Sequence, residues 1–256
     1  ESIMMEPELG YKEFKTADKV KKVFDELGFQ YQDGVAITGV IAPLKGKESK
    51  IRVAVMGELD AVVVPGHALC NKETGAAHCC GHNGQSAALL GIAAALKEPG
   101  ALDGLCGSIR LVVVPAEEMI QLAFREDLRK KGVIQYMGGK VEFMVRGLLD
   151  GVDIAMMVHG SAAGPEEAYD FSGLLGMNGC MAKPIRYKGK SSHAGGAPHL
   201  GVNAQYAAML GLQACNDLRE TFQEKDSIRF HPIMMGVNCA VNIIPDEMKI
   251  ESYVRG

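Results

Sequence analysis

Val20, Val23, Phe24 and Leu27 recur at helical spacing through residues 16–27, and Gly28 follows as a stop, so the chain opens with an amphipathic helix. Two β-rich runs come next, 37–44 and 51–56, separated by a polar turn over 45–50. Residues 87–96 are almost wholly apolar and predict a buried helix. The continuous apolar run 108–114 predicts a strand covered on both faces. A polar helical segment over 119–131 follows, then a second helical run from Gly138-Gly139-Lys140 through Leu149, and a buried strand over 153–158. Helices alternating with strands predict an α/β catalytic domain, a mixed sheet flanked by helices. Beyond residue 179 the order changes to strand (181–188), glycine-rich loop (189–198), helix (202–221) and two strands (228–237 and 248–255). That order predicts a small α+β open-faced sandwich, which places a boundary near 177–181 and divides the chain into domains 1–178 and 179–256.

Composition narrows the function classes. With 47% hydrophobic and 23% charged residues among 256, the chain can bury a sizeable core. A net charge of −4 without a basic block argues against nucleic acid as the main partner, and the absence of Trp with only 6% aromatic residues argues against a base-stacking surface. No apolar run reaches membrane-spanning length, and Glu1 begins no signal peptide, so no membrane partner is expected. Seven cysteines, an odd number in a chain too large to need staples, point to reduced thiols and a cytoplasmic location. Cys106, Cys180, Cys215 and Cys239 stand among apolar or small residues and are expected to be core or structural.

Chemistry concentrates in residues 75–85, where His78, Cys79, Cys80 and His82 fall within five positions directly before the apolar helix. Cys80 and His82 flank Gly81, which can take a turn conformation that lets both side chains converge on one cation, with Asn83 as the expected helix cap. A Cys-x-His pair supplies only two ligands, and buried thiols and imidazoles are common without any metal. Strand ends offer the rest. Gly57-Glu58-Leu59-Asp60 closes one strand, Pro115-Ala116-Glu117-Glu118 another, and His159 a third. Ligands of open α/β sheets collect at such ends. Asp60, Cys80, His82, Glu117, Glu118 and His159 together form a set able to hold two metal ions. Each alone has a plainer reading, a solvated glutamate pair or a braced strand end.

In this order, Pro7-Glu8-Leu9-Gly10, Thr38-Gly39-Val40, Gly57-Glu58-Leu59-Asp60-Ala61, His78-Cys79-Cys80-Gly81-His82-Asn83, Pro115-Ala116-Glu117-Glu118, Val158-His159, Gly189-Lys190-Ser191-Ser192-His193-Ala194 and Asn242-Ile243-Ile244-Pro245 resemble the M20 metallopeptidase family. The nearest branch is its amidohydrolase subfamily, which includes hippurate, aminobenzoyl-glutamate and auxin-conjugate hydrolases. The resemblance implies Cys80, His82, Glu118 and His159 as ligands of two divalent ions, zinc or manganese, and Glu117 as general base. It implies His193, reaching a partner subunit's site, as stabiliser of the oxyanion, and Asn242 and Arg255 as holders of a substrate carboxylate. Asp60 and His78 are expected to support the site from behind the ligands. The implied reaction is hydrolysis of the amide bond of N-acyl or N-aroyl amino acids, by a homodimer formed through the smaller, lid domain.

Three positions depart from the branch's pattern. Asn83 stands where Asp is common, Gln85 where His is frequent, and Cys79 where alanine is usual. The branch's last metal ligand, a histidine, has no counterpart before Gly256, and the chain is expected to be a fragment with both domains incomplete. Competing readings are a cysteine hydrolase using Cys79 or Cys80, a non-catalytic dimerising or ligand-binding protein, and a dipeptidase of the same superfamily.

Overall fold

The computed structural model describes residues 1–46, 51–160, 178–237 and 239–256. Most of the polar turn expected over 45–50 lies outside these residues, as does Met177 at the start of the expected boundary. The chain separates into two compact units, Glu1–Tyr169 and Asp170–Gly256.

The first unit contains α1 (Ser2–Met5), α2 (Phe14–Glu26), β1 (Gln32–Val35), β2 (Gly39–Lys45), β3 (Ile51–Glu58), β4 (Val62–Val63), β5 (Ala76–Ala77), α3 (His82–Ala95), β6 (Gly107–Val114), α4 (Leu122–Lys130), α5 (Gly139–Val145) and β7 (Ile154–Met156). Five strands form one mixed sheet in the order β1-β2-β6-β3-β7, and β4 pairs only with β5. Strands β6, β3 and β7 run parallel, while β2 is antiparallel to β6 and β1 to β2.

Side-chain alternation along β6 explains its unbroken apolar sequence. Leu111 and Val113 join Val20 and Phe24 of α2 and Leu89 and Ala93 of α3 in one core cluster. Val112 and Val114 face the other way, into a cluster with Tyr11, Met56, Ile134 and Phe143. Val20 and Phe24 are fully buried, and each such burial contributes about 1.5–3 kcal/mol. Helix α2 closes through paired bonds from Phe29 N to Phe24 O and Gly28 N to Asp25 O, with the Phe24 and Phe29 rings 5.4 Å apart.

Several expectations need correction. The strand expected from residue 37 starts at Gly39, because Ala36 and Ile37 take positive φ in a tight turn after β1, a strand the polar sequence Gln32–Val35 did not signal. The helix expected from 119 starts at Leu122, after Gln121 adopts a left-handed conformation, and the run through Leu149 is helical only over α5. Strand β7 is not buried. It is the outer strand of the described sheet, and Ile154 and Met156 are 50% and 55% exposed. Cys106, Cys180, Cys215 and Cys239 are exposed as well. The first three lie at or near element ends, and the fourth is in a loop.

Glu13, just before α2, is fully buried, and its carboxylate accepts bonds of 2.7 Å from Thr38 Oγ1 and 2.7 Å from Ala116 N. Burial, with the nearby Asp60 charge, lifts its pKa from 4.5 to about 7 against the pull of those bonds. An acid raised on folding holds its proton longer in the native state, so stability is full below about pH 4.5 and falls as pH rises toward 7. The loss is on the order of 3 kcal/mol. Urea melts between pH 4.5 and 8 are expected to show this decline, and Glu13→Gln to flatten it; an unchanged slope in the variant contradicts the assignment.

The second unit contains β8 (Cys180–Lys188), α6 (Ala204–Asp217), β9 (Arg229–Met234) and β10 (Glu247–Arg255). The strands form an antiparallel sheet in the order β8-β10-β9. Ala204 and Ala208 of α6 pack on Met248 and Ile250 of β10. Asn203 caps α6 by accepting from Tyr206 N at 3.1 Å.

Candidate metal centre

Parallel pairing brings the three strand-end motifs together. Because β6, β3 and β7 are adjacent and co-directional, Pro115–Glu118, Glu58–Asp60 and Val158–His159 emerge along one edge, where the N-terminus of α3 also arrives. Gly81 makes that arrival possible. It takes φ +89°, a left-handed conformation open to glycine, and is itself the residue preceding α3. His82 is therefore the first helical residue, and Asn83 lies inside the first turn rather than capping it.

His82 is fully buried and stands at the junction of two donor groups. Donor atoms of Cys80, His82 and His159 lie within 4.8 Å of one another, and so do those of Glu58, His82 and Glu117. Cys80 Sγ is 3.3 Å from His159 Nε2, while His159 Nδ1 donates to Gly160 O at 2.7 Å, which leaves Nε2 as the free lone pair. The same logic holds at His82: Nδ1 donates to Asp60 O at 2.8 Å, and Nε2 faces Glu58 Oε2 at 3.0 Å. Glu117 Oε2 lies 3.9 Å from that nitrogen. The Glu118 carboxylate lies near enough to the Cys80 thiol to disfavour its thiolate, and Glu118 N donates to Asp60 Oδ2 at 2.9 Å.

The electrostatics point to a missing positive charge. Burial pushes the Cys80 thiol up to about 12, with Glu118 and Glu117 adding to it. Burial lowers His82, but Asp60 and Glu58 outweigh it and hold the imidazole at about 10. Glu58 is likewise disfavoured by burial, yet His82 and Lys140 bring it to about 2. Neither His82 Nε2 nor the Glu58 oxygens make a hydrogen bond of acceptable geometry among the described residues. An imidazole lone pair packed against a buried carboxylate needs a proton or a metal ion between them, so thiol, imidazole and carboxylate donors fit divalent cations.

Other expected residues are placed differently. His78 is buried, its ring nitrogens make no hydrogen bond among the described residues, and burial with the His82 charge holds it neutral, with a pKa near about 4. His193, Asn242 and Arg255 belong to the second unit. His193 is exposed and its Nδ1 accepts from Gly195 N and Gly196 N at 3.1 and 2.8 Å, so its proton resides on Nε2. Asn242 precedes β10 and Arg255 ends it, with the guanidinium over Tyr253. Nine residues of strand separate Glu247 from Arg255 by about 26 Å, and Asn242 lies in the loop that leads into the first of these ends.

Two functional contacts carry little sequence signal. Lys140 Nζ pairs with Glu58 Oε1 and lies 3.6 Å from Glu117 Oε1. It enters because Gly139 packs so closely on Pro115 O that any Cβ there would overlap it. Gln85 bridges two strand ends, accepting from Glu58 N at 2.6 Å and donating to Val158 O at 2.8 Å. Gln85→Leu leaves the buried Glu58 N without this partner and releases the carbonyl of the exposed Val158. A loss of about 1–3 kcal/mol is expected in urea unfolding, and an unchanged midpoint contradicts the bridge.

No family model matches the chain. It is 30% identical to the N-acetyl-L-cysteine deacetylase of Bacillus subtilis (strain 168), the alignment covering 97% of this chain and 56% of that protein. It is 28% identical to the N-acyl-L-amino acid amidohydrolase of Geobacillus stearothermophilus, covering 97% of this chain and 63% of that one. The fold matches the crystal structure of a dinuclear metal-binding M20 peptidase from Bacillus subtilis with TM-score 0.58 at 23% identity, covering 100% of this chain and 62% of that one. The chain thus spans 56 to 63% of the length of these relatives. With its ordered motifs meeting at one sheet edge, the chain resembles the M20 metallopeptidase family in sequence pattern and in fold.

Proposed function

We propose that this chain carries the metal-holding part of an amidohydrolase that cleaves the amide bond of N-acyl or N-aroyl amino acids. The observation that carries this reading is the 3.0 Å approach of a buried imidazole lone pair to a buried carboxylate, flanked by Cys80 and His159 on one side and Glu117 on the other. Cys80, His82, Glu118 and His159 are the proposed ligands, with Asp60 bracing His82. Glu58 joins them as a further candidate. The thiol and imidazoles suit zinc, and the carboxylates manganese. When bound, two such ions polarise the scissile carbonyl and lower the pKa of water from about 15.7 toward about 7.

Glu117 takes the proton of the attacking water on a carboxylate oxygen and passes it to the leaving nitrogen, so that the amide yields a carboxylic acid and an amine. Burial and the neighbouring Glu58 charge raise its pKa, which strengthens it as a base. The second unit is proposed as the lid and dimerisation domain. In a homodimer, His193 of one copy donates its Nε2 proton to the tetrahedral oxyanion in the other copy's site. The two copies also supply Asn242 and Arg255 from different chains. Seven free thiols support a reducing, cytoplasmic setting. Among the described residues no helix is long and apolar enough to cross a membrane.

A cysteine nucleophile fits less well, since burial and carboxylates disfavour the Cys80 thiolate. A binding protein without turnover is favoured by one feature, the Lys140 ammonium between Glu58 and Glu117. Hydrolysis assays on N-acetyl and N-benzoyl amino acids separate the readings. Turnover abolished by a chelator and restored by zinc or manganese supports the hydrolase; metal binding without turnover in the full-length protein contradicts it.

A further inference from the structure

We propose that Glu13 and Arg125 are positioning residues, buried on two sides of Ala116, that lock the backbone from which Glu117 and Glu118 project. The inference rests on the roles proposed for those two glutamates and adds what aims them. Ala116 is not glycine, yet it takes φ +51°, a conformation that side-chain-bearing residues rarely adopt and that neighbours must enforce. The backbone N–H and C=O of Ala116, and those of Glu118 two residues on, all have partners. Ala116 N donates to Glu13 Oε1 at 2.7 Å, and Ala116 O accepts from Arg125 Nη1 and Gly139 N, both at 3.2 Å. Glu118 N donates to Asp60, and Glu118 O accepts from Arg125 Nη2.

Arg125 is 1% exposed, and its guanidinium also donates to Met137 O at 2.8 Å, so one planar fork ties three carbonyls. The segment before α2 closes over this fork. The Tyr11 ring centroid is 5.5 Å from the guanidinium carbon, and a Cβ on Gly10 would overlap both Arg125 and Ala116. Adjacent residues in an extended chain point to opposite faces, whereas here both carboxylates must serve one site. The left-handed residue before them turns the chain so that Glu117 reaches toward His82 and Lys140 while Glu118 reaches Cys80.

Hydrogen exchange of residues 115–119, read by mass spectrometry on the full-length protein, tests the lock without any metal. Glu13→Ala is expected to accelerate exchange there at least about tenfold while leaving α2 near Phe24 unchanged, and to weaken zinc binding by about 10–100-fold. Glu13→Gln keeps the Ala116 N bond through its amide oxygen and turns the Thr38 contact into an N–H donated to Oγ1, and is expected to match the wild type in both readouts. In an Ala116→Gly background the left-handed turn needs no enforcement, so the same Glu13→Ala change is expected to cost less zinc affinity, which a merely stabilising glutamate does not produce. Arg125→Lys, with one point donor for three carbonyls, is expected to behave like Glu13→Ala and serves if that variant does not fold. Wild-type exchange in 115–119, acceleration spread equally over α2, or Glu13→Gln behaving like Glu13→Ala overturns the inference. A wild-type protein that binds no zinc defeats the proposed function, and the exchange experiment still decides the lock.

Discussion

Glu117→Gln is expected to leave the metal content unchanged and to lower kcat by about 10²–10⁴-fold, the usual contribution of a positioned general base. Glutamine preserves the shape and the Oε1 contact near Lys140 but does not accept the water's proton at neutral pH. KM is expected to change little, because the lost interaction belongs to the transition state. Glu118→Ala gives the opposite order of events. Its carboxylate meets the Cys80 thiol beside the His159 nitrogen, so metal is expected to be lost first, and turnover with it. Metal analysis and kinetics on both variants check the pair, and equal metal loss in the two shows the roles to be misassigned.

His82→Ala is expected to have the largest structural effect. The side chain is fully buried, and its removal leaves the Glu58 and Asp60 carboxylates facing a void where an imidazole had stood. Removing one partner of a buried charged pair costs about 3–5 kcal/mol, and Lys140, still paired with Glu58, places the expected loss at the lower end. Urea unfolding of metal-free protein at pH 7 reads this directly. A shift no larger than that of an exposed histidine such as His193 shows that the buried imidazole does not hold the carboxylates in place.

The strand-end motifs were legible because parallel pairing makes sequence-distant ends neighbours: Glu58, Glu117 and His159 each end an apolar run, and a sheet of β6, β3 and β7 aligns those ends. Gly81 was legible for a similar local reason, as a turn residue between two donors. The supporting contacts were not. Glu13 and Arg125 each sit in polar surroundings that read as solvent-facing, and only packing across more than a hundred residues between Glu13 and Ala116 buries them. Nothing in the sequence marks Lys140, because the closeness of Gly139 to Pro115 is a tertiary fact. The exposure of β7 was hidden because an apolar run does not state whether anything covers it.

Elemental analysis of the purified full-length protein, after incubation with zinc and manganese and removal of excess ion, tests the central claim most directly. Convergence of Cys80, His82, Glu118 and His159 on cations predicts about two divalent ions per chain, with loss in His82→Ala. A folded wild-type protein that retains no divalent ion, or an identical metal content in His82→Ala, contradicts it.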